Sequence, residues 1–231
     1  MNMYPPHSDG GYPLLCKETV EALEARGHQI LVLTSRMGLE GGTSIEGNVW
    51  RVFDYCPDNA GNELRSGTPK DLWHWYRREW VELGLLQRAL TEFKPQATFI
   101  WATKGMSYSL AIRLLREPLP SFAYVCGYWL HDHNNLGHLR RQYTSWHWDT
   151  TSSVRSWFRR VLRRLIEARG IAVDWVPLQL DHLAFNSEAI LADLNPACSR
   201  TAPVKIVDSA PVERFAQVGP SNIGRPRRIL F

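Results

Sequence analysis

No stretch of this sequence stays apolar for as long as 18 residues, so no transmembrane helix is expected. The N-terminus has neither the basic nor the apolar segment of a secretory leader. Cysteine is sparse. Cys16, Cys56, Cys126 and Cys198 are the four, without a Cys-x-x-Cys pair, which speaks against a structural zinc site or a disulfide framework. A reducing, cytoplasmic compartment is the plain expectation. Excess charge is also small. A net +4 over 231 residues suits an anionic substrate or a membrane surface, but does not by itself argue for nucleic acid. Internal repeats and low-complexity segments are absent.

What is present is a hydrophobic share of 44% against 22% charged, enough for a substantial globular core. Residues 14–26 read as a helix with Leu15, Thr19, Ala22 and Leu23 as its buried stripe and Gly27 as its stop. "QILVLTS" follows as a strand. Further strands are expected at 48–55, 97–102, 121–127 and 204–209, with a short one opening "HLAFNSEAILADL". Helices are expected at 71–93, 107–117 and 153–168, and after a Ser187 cap. Strand and helix alternate, so the expected class is α/β: a Rossmann-like, doubly wound, mostly parallel sheet with helices on both faces.

The stretch "YPPHSDGGYP" sets two glycines directly before the first helix. Adjacent glycines let the backbone approach a ligand closely, and a helix N-terminus offers unpaired N–H groups to a phosphate. The plain alternative is a tight turn. Neither GxGxxG nor a Walker loop is present, so no nucleotide fingerprint applies.

"MYPPHSDGGYPLLCKETVEALEARGHQILVLTSR" resembles the opening of the N-terminal domain of family-4-like glycosyltransferases of the GT-B fold. "EFKPQATFIWA", "FAYVCGYWLHDH", "LAFNSEAILADL", "VKIVDSAPVERF" and "RRILF" resemble later pieces of that family in the same order. Three features depart from the pattern, the first being that the family's C-terminal, sugar-nucleotide-holding domain has no counterpart in these 231 residues. Only Met1 and Asn2 stand where the family's first strand would precede "MYPP", and "VDSAPVERF" replaces the usual Pro-Asn-Gly-Val-Asp turn. The resemblance implies residues 1–220 as the acceptor-side Rossmann-like domain, and 221–231 as a linker and the start of a truncated C-terminal domain. "RRILF" has a second expected placement: the first-strand slot, which also wants a short apolar parallel strand.

The resemblance also implies an activity: retaining, metal-independent transfer of a sugar from a nucleotide-sugar to a carbohydrate or lipid-linked acceptor. The nucleotide-sugar is a co-substrate, and no other cofactor is implied. His131 would position acceptor or sugar as the catalytic-site residue. Gly10 and Gly11, shaped by Ser8 and Asp9, would face the donor diphosphate, with Asp132 beside His131.

Three other stretches carry chemistry. "GYWLHDHNNLGH" places His131 and His133 two apart, which on a strand could bind zinc, but no further ligand set accompanies them. "SVRSWFRRVLRRLIEARG" is a basic amphipathic helix. Trp157 lies on its apolar side and Arg155, Arg159, Arg160, Arg163 and Arg164 on the other, so it suits the inner face of a membrane or ordinary packing on the sheet. "DLWHWYRREW" suits a sugar platform or core packing. The rival functions are therefore a non-catalytic carbohydrate- or lipid-binding or partner-docking module and, behind it, a metal-dependent hydrolase at His131 and His133.

Overall fold

The computed structural model describes residues 1–8, 10–55, 69–127, 129–130, 153–172, 178–193, 205–206 and 228–231. In chain order the elements are α1 (Gly11–Glu24), β1 (Gln29–Ser35), β2 (Ser44–Glu46), β3 (Val49–Phe53), α2 (Pro69–Phe93), β4 (Ala97–Ile100) and α3 (Tyr108–Leu115). They continue with β5 (Ser121–Val125), α4 (Ser153–Glu167), β6 (His182–Phe185), α5 (Glu188–Asp193), β7 (Lys205–Ile206) and β8 (Arg228–Leu230). The alternation read from the sequence is the one observed.

Eight strands form one sheet in the order β2-β3-β1-β8-β4-β5-β6-β7, parallel except where β2 pairs with β3. β3 is the strand expected at 48–55, whereas β2 has no counterpart among the expected strands, because it is three residues long with Ile45 as its one apolar residue. β1 is buried along six of its seven residues, as a strand covered on both faces must be. Ile30 and Val32 face α1, while Leu31 and Leu33 face α2 and α3. Helices therefore cover both faces, and the fold is a Rossmann-like α/β sheet.

One helix seats differently from expectation. α1 buries Pro13, Cys16 and Val20 rather than a line centred on Thr19, and Leu15 and Leu23 only flank the buried line. It ends where expected: Gly27 takes φ 84, and His28 N–H returns to the Leu23 carbonyl at 3.1 Å. α2 buries Trp75, Leu83, Leu86 and Leu90, but Glu79 and Glu82 lie on the same covered face.

Residues 228–230, assigned by the resemblance to the opening of a second domain, pair instead in the centre of this sheet. β8 lies parallel between β1 (Gln29↔Arg228, Leu31↔Leu230) and β4 (Ala97↔Ile229). This is the first-strand slot given above as the second placement for "RRILF". Residues 221–227 lie outside the described residues.

Candidate functional site

The strand order reverses direction at β8, with β1 and β3 on one side and β4 to β7 on the other. In open parallel sheets ligands sit outside the carboxyl ends of the strands at such a switch point. Three observations concern that edge.

The first is how the loop before α1 is held. Arg51, on β3, is 3% exposed, too buried to be left unpaired. Its guanidinium donates to the Tyr4 carbonyl at 2.8 Å and to the Pro5 carbonyl. Asn2 ties the same segment across the switch point: its N–H donates to the Ala102 carbonyl at 2.8 Å, and its side chain to the Lys104 carbonyl at 3.0 Å. Ser35, at the end of β1, donates its hydroxyl to the Asn2 carbonyl.

The second is the head of α1. Gly10 is the N-cap, with φ 80 and ψ −178, a region essentially reserved for glycine. No side chain caps the helix. Both Gly10 and Gly11 are exposed, and a Cβ at either would meet nothing within 4 Å. The open corner is thus real, but only Gly10 needs its glycine for backbone conformation. Tyr12 anchors this end to the carboxyl edge. Its hydroxyl donates to the Tyr124 carbonyl on β5, and its ring lies 5.0 Å from that of Trp101, just past β4. Ser8 is half-buried, with its N–H on the Pro6 carbonyl at 3.2 Å.

The third is a set of buried polar atoms. Among the described residues, Thr103 Oγ1, past the end of β4, and Asn186 Oδ1, past the end of β6, are buried without a hydrogen-bond partner, as are Thr34 Oγ1, Glu82 Oε2 and Trp101 Nε1. Unpaired buried polar atoms are rare, and Thr103 and Asn186 belong to the edge where ligands are expected.

Asp9, His131, Asp132 and His133 lie outside the described residues; Trp129 and Leu130, the last described residues before them, are buried. Among the described residues no group of three or more His, Cys, Asp or Glu side chains could hold a metal ion. Cys16 is fully buried, and burial pushes its thiol up to about 12.

Sequence reasoning missed the pair Glu79 and Glu82, one turn apart on α2. Glu79 accepts from the Ser107 hydroxyl at the head of α3. Glu82 accepts from the Asp54 N–H at 2.7 Å, and Asp54 in turn pairs with Arg36. Burial, then the neighbouring Glu79, pushes the Glu82 carboxyl up to about 8. The signal was in the sequence: Trp75, Glu79, Glu82 and Leu86 fall on one helical face. Arg51 carried a similar signal, as a lone charge inside the apolar strand "VWRVF".

The aromatic segment divides. Trp75 is 2% exposed and belongs to the core, whereas Trp73 and Trp80 stand in solvent on either side of Tyr76, with ring centroids 5.8 and 6.3 Å apart. On α4, Trp157, Arg160 and Arg164 are exposed, and Arg163 pairs with Glu167 at 3.1 Å. Arg155 and Arg159 belong to the same helix. Among the described residues no helix is long and apolar enough to cross a membrane. A cavity of about 50 Å³ lies between Leu33, Leu86, Leu110 and Leu230. Its apolar lining makes it a packing defect rather than a polar ligand's seat. No protein-family model, curated protein or solved structure significantly matches this chain.

Proposed function

We propose that this chain is the acceptor-side half of a cytoplasmic glycosyltransferase that uses a nucleotide-sugar and no metal. The observation that carries the reading is the uncapped head of α1. An exposed glycine corner, Gly10–Gly11, opens there beside the carboxyl edge of a parallel sheet. Its free N–H groups and positive dipole end favour a diphosphate. In this reading Gly10 and Gly11 face the donor's leaving diphosphate and stabilise the charge that develops on it. Ser8 and Asp9 shape the loop. His131 orients the acceptor or the transferring sugar, with Asp132 beside it. The donor's nucleotide is held by a further domain or a partner chain.

Two measurements test this. Nuclear magnetic resonance titration with a nucleoside diphosphate should shift the Gly11 and Tyr12 amides, with weak affinity, and Gly11→Asp should abolish the shift by placing a negative charge at the helix head. Absence of any perturbation at these amides removes the reading. So does robust nucleotide-sugar turnover by this chain alone, because the donor site is assigned elsewhere.

The exposed stack of Trp73, Tyr76 and Trp80 favours a second reading, a non-catalytic carbohydrate-binding module. Tryptophan fluorescence under oligosaccharide titration separates the two. Quenching that Trp73→Ala and Trp80→Ala remove, with no diphosphate response at Gly11, selects the module.

A further inference from the structure

The apolar side of α4 is wider than the part the protein buries. Ile166 is 3% exposed, and Leu162 packs beside it on the core. One strip further round, Trp157, Val161 and Leu165 recur every fourth residue and remain 63%, 38% and 51% exposed. A helix that only packs on a sheet has no reason to present a tryptophan and two aliphatic side chains outward in a line.

The helix's own charges next to this strip are arginines. Arg160 and Arg164 lie three residues after Trp157 and Val161, hence next to them on the helix surface, and both are exposed. From residue 160 to 169 there are four arginines and one glutamate. The glutamate, Glu167, is engaged with Arg163. The first turn of the helix contains no acidic residue. Long arginine stems can lie along an apolar surface while their heads reach an anionic layer above it.

We propose that this outward face of α4, built from Trp157, Val161 and Leu165 with Arg160 and Arg164 along its margin, docks on an anionic phospholipid bilayer. The helix lies parallel to the surface, its three apolar side chains enter the headgroup boundary, and its arginines meet lipid phosphates. A lipid surface fits better than a protein partner because an apolar ridge flanked by arginines complements a layer of anionic headgroups over a hydrocarbon boundary. The inference goes beyond the transferase reading and stands without it, since docking is read with neither donor nor acceptor present.

The test is flotation of the full chain with vesicles of phosphatidylcholine alone and of phosphatidylcholine with phosphatidylglycerol. Binding to the anionic vesicles, weakened by salt and absent from neutral ones, is expected. Arg160→Glu with Arg164→Glu should lower it by roughly tenfold or more. Trp157→Ser with Leu165→Ser should lower it comparably, while the far-ultraviolet circular dichroism of every variant stays native. Trp73→Ser with Trp80→Ser, on α2, serves as the control for general stickiness. No flotation, flotation indifferent to the α4 variants, or equal loss in the α2 control each overturns the proposal. So does a concentration-dependent dimer abolished by Trp157→Ser in a protein that ignores vesicles; that result assigns the face to a second copy.

Discussion

Met1 and Phe231 meet at a single residue of the central sheet. The Leu33 N–H donates to the Phe231 carbonyl at 2.6 Å, and the Leu33 carbonyl accepts from the Met1 amino group at 2.8 Å. Residues 228–231 and 1–2 thus occupy one strand slot in succession, between β1 and β4. Phe231 N–H donates to Leu31 and Asn2 N–H to Ala102, both at 2.8 Å, so hydrogen bonding to the neighbouring strands carries on past the junction. A slot in the middle of a parallel sheet cannot stay empty, because both neighbours would hold rows of buried, unpaired N–H and C=O groups.

Leu230→Ala should therefore behave as a substitution in the heart of the core. Leu230 is 1% exposed and pairs with Leu31 and Thr98. A loss of about 2–5 kcal/mol in urea-unfolding free energy is expected. Hydrogen exchange supplies a second check: the Leu33 amide should exchange only through global unfolding. Rapid exchange there would show that β8 does not hold the slot.

Arg51→Met removes the donor that fixes the Tyr4 and Pro5 carbonyls. Hydrogen bonds from a charged group contribute about 1.5–3 kcal/mol each, and a buried carbonyl left unpaired adds its own desolvation cost. A destabilisation of about 2–4 kcal/mol is expected by urea denaturation. Arg51→Lys, with one compact head in place of a fork, should recover only part of it. A stability within about 0.5 kcal/mol of wild type would deny Arg51 this role.

Glu82 gives stability a dependence on pH. Its folded-state carboxyl is raised from the ordinary 4.5 to about 8, chiefly by burial, so the folded state holds a proton that the unfolded chain releases. The stabilisation is fully present below about 4.5 and drains away as pH rises towards and through about 8. Glu82→Gln keeps an oxygen for the Asp54 N–H and has no proton to lose. Its unfolding free energy should be flatter between pH 5 and 8.5, and should exceed wild type at the alkaline end by roughly 1–3 kcal/mol. Parallel pH profiles for the two proteins would refute this.

The two glycines of the α1 corner should separate cleanly. Gly10→Ala forces an L-residue into φ 80, ψ −178 and should cost about 1–3 kcal/mol in thermal or urea unfolding. Gly11→Ala lies in the first helical turn with open space around the new methyl, so stability should hold within about 0.5 kcal/mol or rise. Equal costs at both positions would mean that the corner is not built as described.

The alternation of segments, the strand "QILVLTS", the end of α1 at Gly27 and the Ser187 cap were legible in the sequence. Each rests on local chemistry: a run of apolar residues, a glycine that accepts positive φ, a hydroxyl within reach of the Ile190 N–H at 3.3 Å. The site was legible only in part. "DGGYP" marked the open corner, but nothing near it in sequence pointed to Arg51 or Asn2, which hold the loop from β3 and from the switch point. Periodicity states which side chains share a face of a helix. It does not state how much of that face another surface will cover, which is why Trp75 went into the core while Trp73 and Trp80 did not, and why Trp157, Val161 and Leu165 stand outward beside a buried Ile166. Nor does it choose a strand's partners. The sequence determined that "RRILF" is a short apolar strand. Only the tertiary structure decided that it closes the centre of this sheet, because the energy of leaving β1 and β4 unpaired is a property of the assembled fold and of no single segment.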